Sequence, residues 1–198
     1  MKPSIFLNDI LTKGAIIGAL VLVANIAEIS IIYYGGIKYM VISGLLAISL
    51  FGVYCYLMYR FTKNYANLVL SERKEIPYFT YGNGLAYAVS ISMLAGVVIA
   101  LGEYVFLHHI IGYENYINFY VKLLQDVLSQ AQLPASMAGT YDEMFKAIQS
   151  QEEPSLFATL LSGVWSYLVV GTIVGLVVAA FTRRAPQIFD NKEEESNE

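Results

Sequence analysis

Four polar residues lie within or directly beside long apolar stretches of this chain, and their types could do chemistry. They are Asn25, Glu28, Glu103 and His108. An ionised acid at the centre of a membrane-spanning helix costs ~2.5–3.5 kcal/mol on insertion scales. No Lys or Arg lies inside the apolar stretches to offset that cost. We therefore expect Glu28 to be protonated, hydrated or bound to a ligand, as in an intramembrane site for a proton, a cation or a substrate.

Two simpler interpretations of Glu28 stay open. A neutral glutamate could hold helices together by hydrogen bonds to Asn25, the backbone or a hydroxyl group. Tyr54, Tyr56 and Ser92 are the hydroxyl partners that the sequence offers. Alternatively, the side chain could extend outward to reach water, which is easier for Glu103.

Helical spacing places the first of these acids on a packed face. A single seam of the first helix carries, at intervals of four and three, Gly14, Gly18, Val21, Asn25 and Glu28. Glycines mark faces on which membrane helices approach closely, so Glu28 is predicted to point into a helix bundle. We expect Glu28 and Glu103 to line one outward-facing polar pocket, with His108, His109 or Lys38 near its mouth.

Rows of small residues predict two further contact faces. The third apolar stretch has a small residue at every fourth position: Gly84, Ala88, Ser92, Gly96 and Ala100. The fourth carries Gly163, Gly171, Gly175 and Ala179, with Tyr167 interrupting the row. Such rows are typical of helix–helix contacts in membranes.

The sequence gives little indication of catalysis, of a metal site or of a cofactor. His108 and His109 are adjacent and point about 100° apart on a helix, so they are expected to lie at the membrane interface rather than chelate a metal together. Cys55 is the only cysteine, which excludes an internal disulfide. We find no nucleophile motif or phosphate loop, and no basic domain for nucleic acid.

The elements that must position these residues are helices in a lipid bilayer. Of 198 residues, 57% are hydrophobic and only 14% are charged, whereas soluble domains carry about 25% charged residues. Four apolar stretches are each long enough to span a membrane: 14–34, 39–59, 85–107 and 156–181. The predicted fold class is therefore all-α, a polytopic membrane protein with four transmembrane helices.

Basic residues predict how the chain is threaded. Nine of the 12 Lys and Arg residues lie at the N-terminus, in the second connection or at the C-terminus. Because cytoplasmic loops are enriched in Lys and Arg, both termini are expected in the cytoplasm of a bacterium, with the protein in its inner membrane.

The three connections and the tail differ in character. GGIK, at 35–38, predicts a tight turn and an antiparallel hairpin. The second connection, roughly 60 to 84, is expected to be a loop in which Pro77, Gly82 and Gly84 break any helix. The third is predicted to form a cap of two short amphipathic helices at about 113–150. The acidic tail, 185–198, is predicted to be disordered.

Several segments resemble a family of uncharacterised bacterial inner-membrane proteins with four spanning helices. They are GAIIG in helix 1, PYFTYGNGLAYAV entering helix 3, the amphipathic insert and LVVAAFTRR closing helix 4, and the likeness covers residues 10 to 184. The resemblance implies no activity and no site residue. It also extends to proteins often encoded near polyprenyl-phosphate glycosyltransferases, which implies a role in envelope or lipid-linked glycan metabolism.

Two functions follow as hypotheses. The first is a non-enzymatic accessory protein or complex subunit that packs against a membrane-protein partner or a second copy of itself. The second is a small transporter or lipid-handling protein that uses Asn25, Glu28, Glu103 and His108. A helix broken beside Glu28 would favour transport.

Overall fold

A computed structural model describes residues 3–72, 78–130 and 138–184. Within these ranges the chain forms six α-helices and no strand, which confirms the all-α fold class. The helices are α1 (Pro3–Gly35), α2 (Met40–Glu72), α3 (Tyr81–Val105), α4 (Tyr113–Gln130), α5 (Ala138–Gln149) and α6 (Leu156–Thr182). The tail predicted to be disordered lies outside the described residues.

Four of these helices are long and apolar enough to cross a membrane, as predicted. They are α1, α2, α3 and α6; α4 and α5 form the insert between α3 and α6. α1 and α2 are each 33 residues long, about 50 Å, so both extend beyond a ~30 Å hydrocarbon layer.

The turn between α1 and α2 depends on glycine. Gly36 has a φ of 69°, which residues with a side chain rarely adopt, and its N–H donates to the Ile32 carbonyl. A short 3₁₀ turn, Ile37–Tyr39, then leads into α2. We call this end of the bundle, which also carries α4 and α5, the hairpin end, and the opposite end, where α1 begins and α6 finishes, the terminal end.

The expectation of a loop over residues 60 to 84 is wrong for 60–72 and 81–84, which are helical, and Pro77 lies outside the described residues. α2 continues to Glu72, because Phe61, Tyr65 and Val69 recur at intervals of four and are buried against the bundle. Gly82 and Gly84 do not break a helix but belong to the first turn of α3, whose N-terminus is capped by Thr80. The Thr80 side chain accepts a hydrogen bond from the Asn83 N–H, as an N-cap residue does.

α3 is the central helix, and its row of small residues meets that of α6. The two helices run antiparallel, so each step of four along α3 matches a step of four backward along α6. The facing pairs are Gly84 with Ala179, Ala88 with Gly175, Ser92 with Gly171, Gly96 with Tyr167, and Ala100 with Gly163. Tyr167 does not interrupt this contact, because Gly96 leaves the space that its ring-bearing side chain occupies.

The two early glycines hold α1 against the opposite side of α3. A Cβ added at Gly14 would lie 3.0 Å from the Ile91 carbonyl oxygen, and one at Gly18 3.0 Å from that of Ala95. Four residues further along α1, the contact lies four residues further along α3, so the two helices run parallel. The backbones therefore approach as closely as the glycine seam predicts.

α2 packs into this core with its terminal half, through Met58 and Tyr65 among others, and its hairpin half is more open. Within the most apolar 18 residues of each span, 11% of α2 is buried against 50% of α3. Side by side with α6, it leaves an apolar groove lined by Phe51, Cys55, Tyr59 and Phe181 among others.

Candidate functional site

Three of the four predicted site residues come together in the half of the bundle nearer the hairpin end. The amide of Asn25 on α1 donates to a carboxyl oxygen of Glu103 on α3, at 2.7 Å. Glu28, one turn further along α1, accepts a hydrogen bond of 3.0 Å from the Ser43 hydroxyl on α2. Each acid is thus bound by a neutral donor from a neighbouring helix.

Neither acid has a basic partner. Across residues 3–72, 78–130 and 138–184, no Lys, Arg or His nitrogen lies within 4.0 Å of Glu28 or Glu103. Both side chains are partly buried. Two acids in a largely apolar environment with only amide and hydroxyl donors can take up a proton or a cation.

The single pocket that the sequence suggested is divided into separate cavities. A central cavity of about 210 Å³ lies between α1, α2 and α6, and Asn25, Glu28, Tyr54 and Tyr167 supply its polar groups. Glu103 lines a different one, of about 500 Å³, between α3 and α6. Tyr167 belongs to both cavities and also interacts with Asn25, so it stands in the wall that separates them.

Glu28 also faces a third cavity, one turn nearer the hairpin end of α1, which we call the α1–α4 cleft. This cleft of about 210 Å³ is lined by Glu28, Ile29, Ile32, Tyr116, Phe119, Tyr120 and Leu123. The Tyr33 and Phe119 rings, 4.8 Å apart, hold α4 against α1 here. Burial raises the pKa of Tyr116, and the neighbouring Tyr120 and the charge of Glu103 add to that shift. The α4 aromatic face therefore lies close to both acids.

The hydroxyl groups that the sequence offered to Glu28 are used elsewhere. Tyr54 and Ser92 are 2.6 Å apart, oxygen to oxygen, and Ser92 donates to the Tyr167 carbonyl at 2.8 Å. Because Ser92 donates its proton to that carbonyl, the Tyr54 hydroxyl must be the donor to Ser92. Tyr56 is largely exposed on the opposite side of α2. The two hydrogen bonds of Ser92, with Tyr54 and with the Tyr167 carbonyl, tie α2, α3 and α6 together in the middle of the bundle.

His108 does not join the other three residues. It lies in a short π-helical segment, Phe106–Ile111, that follows α3. Its Nδ1 is 2.9 Å from the Tyr104 carbonyl oxygen, and its Nε2 is 3.3 Å from a carboxyl oxygen of Glu153. No hydrogen bond or ion pair within the described residues joins it to Asn25, Glu28 or Glu103. His108 thus fastens the end of α3 to the segment before α6.

Ser43 and Tyr116 were not predicted as site residues, although the position of each in the sequence offered a hint. Ser43 is the only hydroxyl residue in the first turn of α2, directly across the hairpin from the last turns of α1. Tyr116 begins the apolar face of α4, which the spacing had predicted without indicating what it would face. No group of three or more His, Cys, Asp or Glu side chains suited to a metal occurs among the described residues.

These features define a class: an all-α, multi-pass membrane protein with four spanning helices and two acids in the hairpin half of its bundle. The chain belongs to a family described as a protein of unknown function, DUF4199, which it matches over residues 12–184. Searches of curated proteins and of solved structures found no match to the chain.

Proposed function

We propose that the protein is a non-enzymatic accessory subunit of a membrane complex, and that it binds a transmembrane helix of another chain along α2. The observation that carries this proposal is the pair of open glycines on α2. A Cβ added at Gly44 or Gly52 would meet no atom within 4 Å. Around them, Val41 and Ile48 are more than two-thirds exposed.

Exposed apolar side chains are ordinary in lipid, whereas exposed glycines are not. Glycine weakens a helix by roughly 0.5–1 kcal/mol relative to alanine. In a membrane that cost is offset where another helix approaches closely, since association there relies on close van der Waals packing. Every other glycine in the middle of α1, α3 or α6 has such a neighbour within this chain. Gly44 and Gly52 thus fit a neighbour from a second chain.

The same proposal includes an orientation. Lys13, Arg60, Lys63, Arg183 and Arg184 belong to the terminal half of the bundle, which we assign to the cytoplasmic side of a bacterial inner membrane. The hairpin end, with α4 and α5, then lies outside the cytoplasm, where the acids of the insert face water.

Replacing Gly52 by leucine tests the proposed subunit contact. Because an added side chain starts in open space, Gly52→Leu should leave the melting temperature of the isolated protein within a few degrees of wild type. It should nevertheless abolish a stoichiometric association that survives in mild detergent. Native mass spectrometry of the purified full chain measures both the mass of the assembly and the identity of its second component.

Gly82→Leu is the matched control, since Gly82 is equally open but lies at the start of α3. It should retain the association. A second copy of this chain or a different membrane protein as the second component would each fit the proposal. A monomeric wild-type protein, both in detergent and after cross-linking in intact membranes, would contradict it.

A second candidate function, lipid handling, is favoured by the position of the acids. Glu28 and Glu103 line cavities in the hairpin half of the bundle. α1 is unbroken from Pro3 to Gly35, so it lacks the interrupted helix that would support ion transport. An amphiphile that keeps its tail in lipid and places its head group beside an acid suits this geometry better.

A further inference from the structure

The α1–α4 cleft combines one acid with a wall of aromatic rings. Tyr116, Phe119, Tyr120 and Leu123 recur on a single face of α4, and that face is turned toward Glu28 on α1. The Tyr116 and Tyr120 rings are nearly parallel, with their centroids 6.4 Å apart. Aromatic faces attract cations, most strongly where water is excluded.

Glu28 has bonding capacity left over in this cleft. One of its carboxyl oxygens accepts from Ser43, and within residues 3–72, 78–130 and 138–184 no donor is bonded to the other. An unpaired carboxylate in low-dielectric surroundings is unfavourable, and a cation would relieve that cost. The insert that covers the cleft adds to the attraction, since α4, α5 and the segment before α6 carry six acids and two lysines.

The composition of the cleft selects the kind of cation. Ca²⁺ and Mg²⁺ need about six oxygen ligands or more, and this wall offers few. A substituted ammonium group needs one carboxylate and aromatic faces, which are present. The cleft, at about 210 Å³, is smaller than pockets of ~300–1,000 Å³ that enclose whole drug-sized ligands. It therefore fits a head group whose remainder lies outside.

We propose that the α1–α4 cleft binds a substituted ammonium group, with Glu28 as its counter-ion and Tyr116, Phe119 and Tyr120 as its aromatic wall. This proposal rests on the lipid-handling candidate and names the ligand class for it. Such a group occurs in the head groups of zwitterionic phospholipids and in free alkylamines. Tyr120 is 41% exposed, so a head group can reach the cleft from the side of the bundle.

Lipid retention by the full-length protein tests the proposal. The chain, in a neutral maltoside detergent, is titrated with phosphatidylcholine, phosphatidylethanolamine and phosphatidylglycerol of identical acyl chains, and binding is followed by native mass spectrometry. Wild type should bind the first two at least about tenfold more tightly than the anionic lipid, as expected for a charge-assisted contact. Equal affinity for all three would overturn the proposal while leaving a general lipid-handling role.

Two variants assign the effect to the cleft. Glu28→Gln keeps the shape of the side chain and an acceptor for Ser43. It should make the affinities for the zwitterionic and the anionic lipids about equal. Tyr120→Leu changes a partly exposed ring and should weaken zwitterionic binding by about 3- to 10-fold. Glu114→Gln removes the same charge from the exposed side of α4 and should change nothing. Unchanged preference in both Glu28→Gln and Tyr120→Leu would overturn the assignment.

A competition experiment identifies the source of the ammonium group. Displacement of phosphatidylcholine by free tetramethylammonium would support the cleft and extend its ligands to soluble amines. No displacement, with the head-group preference intact, would support the cleft as a site for membrane lipid. Retention of no lipid by wild type would reject both this inference and the lipid-handling candidate, and the Gly52→Leu experiment would be unaffected.

Discussion

The α3–α6 interface and the outer surface of α2 use the same residue types for opposite results. Both present glycines on an apolar membrane helix. A Cβ added at Gly96 on α3 would lie 2.8 Å from the Gly163 carbonyl oxygen, whereas one added at Gly52 on α2 would meet nothing within 4 Å. A glycine thus marks a helix contact within this chain only where a neighbouring helix approaches it, as α6 does at Gly96, and no helix of this chain approaches Gly52.

Polar groups differ in the same way between the two ends of the bundle. Near the terminal end, the Tyr87 hydroxyl donates to Asp9, and the Tyr65 and Tyr87 rings stack in parallel with centroids 4.1 Å apart. Near the hairpin end, Glu28 and Glu103 each border a cavity. Asp9 and Tyr87 are thus enclosed between helices, whereas Glu28 and Glu103 border cavities that a polar group of a ligand could reach.

The largest predicted effect on stability is at the α3–α6 interface. Gly96→Val should destabilise the protein by about 3 kcal/mol or more, because the added carbons meet a backbone oxygen that cannot move away without separating α3 from α6. Unfolding by sodium dodecyl sulfate in mixed micelles, followed by circular dichroism, measures the free energy. Gly52→Val is the control and should change it by less than about 0.5 kcal/mol. If both variants lost the same free energy of unfolding, the distinction between the α3–α6 interface and the outer surface of α2 would be wrong.

A smaller loss of stability is predicted at Ser92, which links α2 to the α3–α6 pair. Ser92→Ala removes the hydroxyl that accepts from Tyr54 on α2 and donates to the Tyr167 carbonyl on α6. We expect a loss of about 0.6–1.7 kcal/mol in the same assay, the interval between the average and the largest values found for such bonds in a membrane protein.

Ser90→Ala is the control for that measurement. The Ser90 hydroxyl bonds to the Ala86 carbonyl of its own helix, so its removal should cost nothing measurable. If Ser92→Ala also costs nothing, the hydroxyl chain does not hold α2 to the core, and packing alone must do so.

Patterns that repeat along one helix could be predicted from the sequence. Apolar length predicted the four spans, and the four-residue period of α3 placed its small residues on one face, as found. The end of α2 was missed because the apolar stretch 39–59 stops at Arg60, where basic and polar residues begin. Lys63 lies over the Tyr59 ring, with its nitrogen 5.6 Å from the ring centroid, and the helix continues. Long basic side chains can cover apolar surface without ending a helix.

Pairings between helices were harder to predict. The seam of α1 indicated that Asn25 and Glu28 point inward, and they do contact other helices. It could not show that Ser43 would meet Glu28, since that depends on how the Gly36 turn rotates α2 relative to α1. Nor could it show that His108 would turn toward Glu153, because the π-helical segment changes the phase of the residues after Val105.

The smallest predicted effect has the opposite sign and concerns the open glycine nearest the hairpin. Gly44→Ala should stabilise the isolated monomer by about 0.5–1 kcal/mol, because alanine restricts the unfolded chain and the new methyl group meets no atom of this protein. Gly84→Ala is the matched control: its methyl would lie 3.3 Å from Ala179, so no gain is expected. If Gly44→Ala stabilises the monomer yet weakens the assembly proposed for Gly52, then natural glycines here serve contact with another chain. If it destabilises the monomer, α2 packs more closely against its own chain than the open surface implies.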